Sequence, residues 1–280
     1  FLQEPFGSKH SFGATFTTST AGVNLTYKGI FPNLSNDWRF EIVARYSTPN
    51  FAQNFFGYGN ETKNVVKDGS NYYRVRMQNI HLEPSYKMYS SGGVIFGFSS
   101  SFDYLKVHKT AERFIMQEYN LEPNLYSGQF YATPKINFDF ENYNKPHNPT
   151  LGFGFHLEAG WKINLEEIKR DVPYLNSSLN FNLPLDQAGK LVFATMSKAK
   201  FIFTDNYEFF QGATLGGDSD LRGFRRERFL GDRSFLQSTD IRYNIGAIEK
   251  SFAPMEYGIF TGFDIGRVWL SGEHSKKWYT

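Results

Sequence analysis

Cysteine is absent from the sequence, which excludes a disulfide framework, a thiolate metal site and a cysteine nucleophile. A charge excess of either sign is also missing. Lys and Arg total 30 against 28 Asp and Glu, a formal net charge of +2, so there is no bulk electrostatic case for nucleic acid as a partner. No apolar run approaches the ~18 residues that a membrane-spanning helix needs. The Gly216-Gly217 pair, with basic residues after it, lacks the Lys-Ser/Thr ending and the following helix of a phosphate loop. His156 and Glu158 stand two apart, on one face of an extended segment, but one His and one Glu are too few for a metal site. No Ser/His/Asp constellation stands out. The expectation is a protein that is not an enzyme, with no cofactor and no metal.

Aromatics, in contrast, are abundant: 18% of the chain, with 30 Phe and 17 Tyr. Yet the mean hydropathy is negative, at −0.46. Alternation reconciles the two. Phe12, Ala14 and Phe16 alternate with Ser11, Gly13, Thr15 and Thr17, and Trp38, Phe40, Ile42, Ala44 and Tyr46 with Arg39, Glu41, Val43, Arg45 and Ser47. The pattern is clearest from Leu151 to Ile163, where Gly152, Gly154, His156, Glu158, Gly160 and Lys162 form the wet face. Period two with one greasy and one polar face predicts strands. Eleven are predicted, with no helix, and a slip in parity near Asn79 predicts a bulge there. Many are ten residues or longer, matching the ~9–11 residues of a tilted membrane-crossing strand rather than the ~5–6 usual in soluble sheets. Connections fall at 18–20, 31–37, 49–70, 90–92, 106–128, 142–150, 164–173, 186–189, 204–232 and 246–254. Every second one from 31–37 is short and most of the others are long, as in a transmembrane barrel with short turns on one side. The fold class expected is therefore all-β, an antiparallel transmembrane β-barrel. The chain starts at Phe1 without Met and stops at Thr280 in a loop-like stretch, so residues 1–280 are expected to be a barrel segment incomplete at both ends.

The longest connection, 204–232, carries Leu215-Gly-Gly-Asp-Ser-Asp-Leu-Arg-Gly-Phe224. A glycine pair, acids and an arginine suit a compact loop presenting one guanidinium, that of Arg222. Farther on, Gly262-Phe263-Asp264-Ile265-Gly266 places one carboxylate between two glycines on the polar face of a strand. Such spacing leaves room for an incoming loop, and Arg222 with Asp264 are expected partners. A solvated surface loop is the plain alternative for Arg222 taken alone. Arg225, Arg226 and Arg228 read as the lining of a wet lumen rather than a lipopolysaccharide or nucleic-acid site.

These residues resemble the outer-membrane assembly-factor superfamily that includes BamA, TamA and the two-partner secretion transporters. Three motifs carry the resemblance: Leu221-Arg222-Gly223-Phe224, Thr239-Asp240-Ile241-Arg242 and Gly262-Phe263-Asp264-Ile265-Gly266. The segments Thr48–Phe51 and Phe55–Thr62 are more locally similar to barrels of Bacteroidota, some of them fused to a calcineurin-like phosphoesterase. The resemblance implies a barrel of about sixteen strands, about eleven of them in this segment. It also implies an arginine loop folded into the lumen, with Asp264, Asp240, Arg242, Gly262 and Gly266 as its lumen partners. Family members of this kind carry Glu more often where this chain has Asp240. The implied function is insertion or translocation of proteins at the bacterial outer membrane. Implied partners are the bilayer and its lipopolysaccharide, client outer-membrane proteins, and periplasmic or lipoprotein accessory subunits. The alternative implied is a barrel that anchors or exports its own fused domain. POTRA modules, which other members carry, do not occur in these residues.

Overall fold

The computed structural model describes residues 2–3, 7–18, 20–32, 37–65, 69, 71–166, 170–248 and 255–280. In chain order the elements are β1 (Leu2–Gln3), β2 (Lys9–Thr17), β3 (Gly22–Phe31), β4 (Trp38–Ser47), β5 (Gln53–Asn54), β6 (Arg74–Val75), β7 (Met77–Tyr89) and β8 (Val94–Val107). A one-turn helix α1 (Phe114–Glu118) and a 3-10 turn (Pro123–Tyr126) follow. Then come β9 (Gln129–Tyr143), β10 (Gly152–Asn164), β11 (Val172–Pro184), β12 (Leu191–Ile202), β13 (Ala213–Leu215), β14 (Phe229–Gly231), β15 (Arg233–Ile248) and β16 (Met255–Trp269). Twelve strands form one sheet in the order β1-β2-β3-β4-β7-β8-β9-β10-β11-β12-β15-β16. Each neighbour is the next long strand in sequence and antiparallel, so the sheet is a continuous meander. The two-residue β1 extends the eleven long strands.

The sheet inverts the usual disposition of side chains. Phe263 is 57% exposed beside Asp264 at 7%. Phe12, Phe98, Phe130, Trp161 and Ile259 stand out on the same apolar face, while Glu41, Ser101, Thr133, Asn182 and Ser238 are buried on the other. In a water-soluble sheet this would expose an apolar patch far beyond what monomers tolerate. In a bilayer it satisfies both solvents: the outer face meets lipid, and the backbone groups of each strand inside the sheet are bonded to the two neighbouring strands. The structure is the wall of an antiparallel transmembrane β-barrel. Among the described residues no helix is long and apolar enough to cross a membrane.

Polar ladders knit the inner face. Glu41 accepts from Tyr89 Oη at 2.6 Å and Lys87 Nζ at 3.1 Å. His81 pairs with Asp103 at 2.8 Å, and Lys135 with Glu83 at 2.8 Å. Long loops gather at one rim, where Phe55, Ile115, Leu125, Phe209 and Leu230 from three of them form a buried apolar cap.

The structure corrects the sequence reading in two places. No bulge occurs at Asn79: β7 keeps one register against β8 across that position, and its ladder with β4 starts there in one register. The parity slip arises because Tyr73 and Val75 are buried in the rim region, Val75 in the short β6 and in the rim cap, and the long strand starts at Met77. A register shift lies instead between Asn244 and Gly246 of β15. One short helix, α1, does form, and its Ile115 is 1% exposed within the cap. Part of each turn expected at 31–37 and 246–254 lies outside the described residues.

Ile136 stands near the middle of β9 with its side chain outward. Ile136→Arg is expected to cost about 2–4 kcal/mol of folding free energy in a bilayer, the range for a cation at the midplane of the lipid face. The neighbouring inward substitution Asn137→Arg should cost much less. Chemical-denaturant unfolding from lipid vesicles would measure both.

Candidate functional site: the arginine loop on the inner wall

The register of β15 and β16 sets the wall of the site. Ser238 is opposite Asp264, and Asp240 is opposite Gly262. Period two puts all four on the inner face, so two carboxylates sit at diagonal positions on adjacent strands. Such a pair repels unless a cation stands between them.

Arg222 is that cation. Leu221-Arg222-Gly223-Phe224 is a turn in which the Phe224 N–H reaches the Leu221 carbonyl at 3.4 Å. Gly223 has φ +85°, at the position where a type II turn demands a positive value. Leu221, fully buried, packs with Leu215, Phe229, Leu236 and Val268. Phe224 sits against Phe229 and Tyr279, with ring centroids 5.5 and 5.6 Å away. Held by these apolar contacts, Arg222 gives its backbone N–H to Asp264 Oδ2 at 2.9 Å. Its Nε and Nη2 reach Asp264 Oδ2 and Oδ1 at 2.8 and 2.6 Å, the bidentate fork available to a guanidinium. Nη2 also donates to Asp240 Oδ1 at 2.7 Å and to Ser238 Oγ at 3.2 Å. The hydrogen bonds it donates, to Asp264 first and then to Asp240, raise the Arg222 pKa above its ordinary value.

The flanking glycines make space. A Cβ on Gly262 would stand 2.7 Å from Arg222 Nη2, and one on Gly266 would stand 2.9 Å from Leu215 Cδ2. Arg242 is not brought to this cluster. It lies near the opposite rim, donating to the Pro149 carbonyl at 2.6 Å and Asn182 Oδ1 at 2.7 Å. The residue missing from the predicted site is Ser238: alternation puts it on the same face as Asp240, but its position opposite Asp264 follows only once the β15–β16 register is known.

The loop has three further anchors. Lys198 of β12 reaches the Ser219 carbonyl at 2.6 Å and Asp220 Oδ1 at 3.0 Å. Arg228 grips Thr62 through its hydroxyl and carbonyl, both at 2.5 Å, and its guanidinium lies 5.0 Å from the Phe56 ring. Glu227 adopts φ +56°, a costly region for a residue with a Cβ, and its Oε2 accepts the Asn54 N–H at 2.8 Å. Behind these contacts stands Asn60. Its N–H donates to Glu273 at 2.8 Å, its amide donates to the Lys277 carbonyl at 2.8 Å, and its side-chain oxygen accepts from Val268 N–H at 3.1 Å. Asn60 thereby ties the 48–76 loop to β16 and to the segment after it. Arg225 lies 5.6 Å over Phe56. His156 pairs with Asp139, whereas Glu158 accepts from Tyr174 Oη at 3.0 Å.

An inverted antiparallel sheet with a loop docked on its polar face defines a class: the transmembrane β-barrel with an internally bound loop. A solved structure titled BamA from Haemophilus ducreyi, lacking POTRA domains 1–3, is similar, with a TM-score of 0.64 and 14% identity over 95% of this chain and 53% of that one. This likeness shows the barrel fold, and the chain spans about half the length of that structure. No family model and no curated protein matches the sequence.

Arg222→Ala strands two carboxylates on the wall. Since Arg222 itself keeps 31% of its side-chain surface, the expected loss is about 3 kcal/mol of loop docking, the low end for breaking a buried pair. Hydrogen exchange across 204–232 would register it as faster opening of the loop, and Arg222→Lys, which cannot bridge both acids with a planar fork, should recover only part of the protection. Glu227 supplies a pH test. Burial pushes its carboxyl up, against the lowering effects of the Asn54 N–H, Arg226 and Lys200. A raised folded-state value means the group favours the docked loop fully below the ordinary carboxylate range and loses that contribution as pH rises through the raised value. Glu227→Gln keeps the acceptor and removes the titration. Its loop should exchange more slowly than wild type at neutral pH, with the difference vanishing on acidification.

Proposed function

We propose that this chain is the wall and docked loop of a bacterial outer-membrane barrel that inserts or translocates other proteins. The observation that carries the reading is the single guanidinium of Arg222 bridging Asp264 and Asp240 on adjacent strands. The apolar cap at the long-loop rim fills space that a passive diffusion pore would keep open. Its action would be mechanical, without a chemical step. The lock stiffens β15 and β16 and holds the loop inside, while client strands are handled elsewhere on the barrel. Client outer-membrane proteins, lipopolysaccharide and periplasmic or lipoprotein accessory subunits are the partners this reading calls for.

Replacing the chromosomal copy with Arg222→Ala in the native host tests the proposal. Client outer-membrane proteins are expected to fall several-fold in the membrane fraction, and the barrel is expected to lose heat-modifiable migration at a lower temperature than wild type. Undiminished client levels together with a weakened barrel would replace the proposal with a barrel that anchors or exports its own fused domain, for example a phosphoesterase. Wild-type behaviour in both measurements would remove the lock from either role.

A further inference from the structure

Between the inner wall and the docked loop lies a second polar space, separate from the Arg222 cluster. It is a cavity of about 370 Å³ bounded by β4, β7–β12 and the Gln211–Ala213 stretch of the loop. Arg45, Lys162 and Lys200 line it, and none of them forms an ion pair with a carboxylate among the described residues. Lys200 makes one long contact, 3.5 Å to the Thr214 carbonyl, and Lys162 Nζ lies 5.8 Å from the Phe210 ring. The acids nearby are committed: Asp103 to His81 at 2.8 Å and Ser101 at 2.9 Å, and Glu83 to Lys135 at 2.8 Å.

Unmet hydrogen-bonding groups converge on the same space. Gln211 is 9% exposed and Thr133 is 3% exposed. The Gln211 Nε2 and Thr133 Oγ1 atoms have no partner, nor does the Asn79 Oδ1 acceptor, and all three residues line the cavity. A buried polar group left unsatisfied costs about 1–3 kcal/mol, so three of them facing one cavity from wall and loop mark a place meant to be filled. Cations set the sign of the occupant and the amide and hydroxyl set its hydrogen-bonding capacity. The lone acceptor on Asn79 asks for an O–H in return.

We propose that this cavity binds a hydrogen-phosphate-class oxyanion, either inorganic phosphate or the terminal phosphate of a small monoester. Lys162, Lys200 and Arg45 supply the charge, Gln211 and Thr133 donate, and Asn79 accepts the P–OH. Because Gln211 belongs to the loop and the other groups to the wall, the anion bridges the two and stabilises the docked loop by mass action.

The test uses the intact protein in detergent, with phosphorus NMR line broadening for binding and thermal loss of heat-modifiable migration for stability. Inorganic phosphate and glycerol phosphate are the probes, and sulfate, which has no O–H at neutral pH, is the comparison. Saturable millimolar binding of phosphate, tighter than sulfate, with a rise in the unfolding temperature, is expected. Selective binding of glycerol phosphate would assign the monoester, and equal binding the free anion. Lys162→Met should weaken binding by about tenfold or more, the effect of losing about 1.4 kcal/mol. Gln211→Glu, nearly isosteric, should abolish binding by facing the anion with a carboxylate, and it covers the case in which Lys162→Met fails to fold. No saturable binding to wild type, or unchanged binding in folded Gln211→Glu, would overturn the site and leave the cavity filled by water.

Discussion

Two acids on neighbouring strands of the inner wall are tolerable only with a guanidinium between them. Asp240 and Asp264 share a face because strand geometry gives side chains no other choice. Unneutralised, they would repel across a space partly cut off from water, where charges interact more strongly than in solution. The surrounding sequence serves the delivery of that one cation. Gly223 sets the turn, Leu221 and Phe224 bury themselves so that Arg222 arrives at a fixed depth, and Gly262 and Gly266 keep the approach clear. The apolar contacts supply much of the adhesion, and the charge cluster fixes where on the wall the loop sits.

The remaining architecture follows from having lipid on one side of a sheet and a packed polar interior on the other. Outward aromatics meet hydrocarbon, while inward charges such as Glu41, His81 and Glu83 are satisfied in ladders that run across strands. At the long-loop rim the solvent order reverses again. Phe55, Phe209 and Leu230 bury one another inside the loops themselves, forming a small conventional core seated on a membrane wall. The loops are therefore held to the wall and to one another by two unlike materials, an ionic clamp on β15–β16 and an apolar cluster at the rim.

How much of this could be read from residues alone depended on periodicity. Strands such as β9 and β10 alternate so cleanly that their existence and outward faces needed no structure. Val172 was harder: it points inward against Ile202 and Ala213 under the loop, so the apolar-out pattern breaks where β11 begins. Tyr73 and Val75 misled for a related reason, since buried residues of the rim region can alternate as a long strand does. The helix α1 is too short for a 3.6-residue period to show and exists because Ile115 is buried. Within the site, Arg222 and Asp264 could be paired because an isolated charge between glycines is conspicuous. Arg242 shares a strand with Asp240 and looked equivalent, but it lies two residues farther toward the short-turn rim and is drawn to Asn182 and Pro149. Asn60 lies in the Phe55–Thr62 stretch that carries a local resemblance, but its bracing role had no signal of its own, because an asparagine in a Gly-Asn-Glu stretch reads as an ordinary turn residue.

Asn60 also bears on the order in which the molecule is made. Its bonds to Glu273 and Tyr279 join residues separated by 213 and 219 positions, whereas the wall between them is built of strands that pair with their immediate successors. Contacts of such separation carry a large loop-closure entropy until the intervening chain is already ordered. The rim bracket is thus a late event of assembly. It needs the nearest-neighbour pairings to have brought the 48–76 loop and the segment after β16 together first.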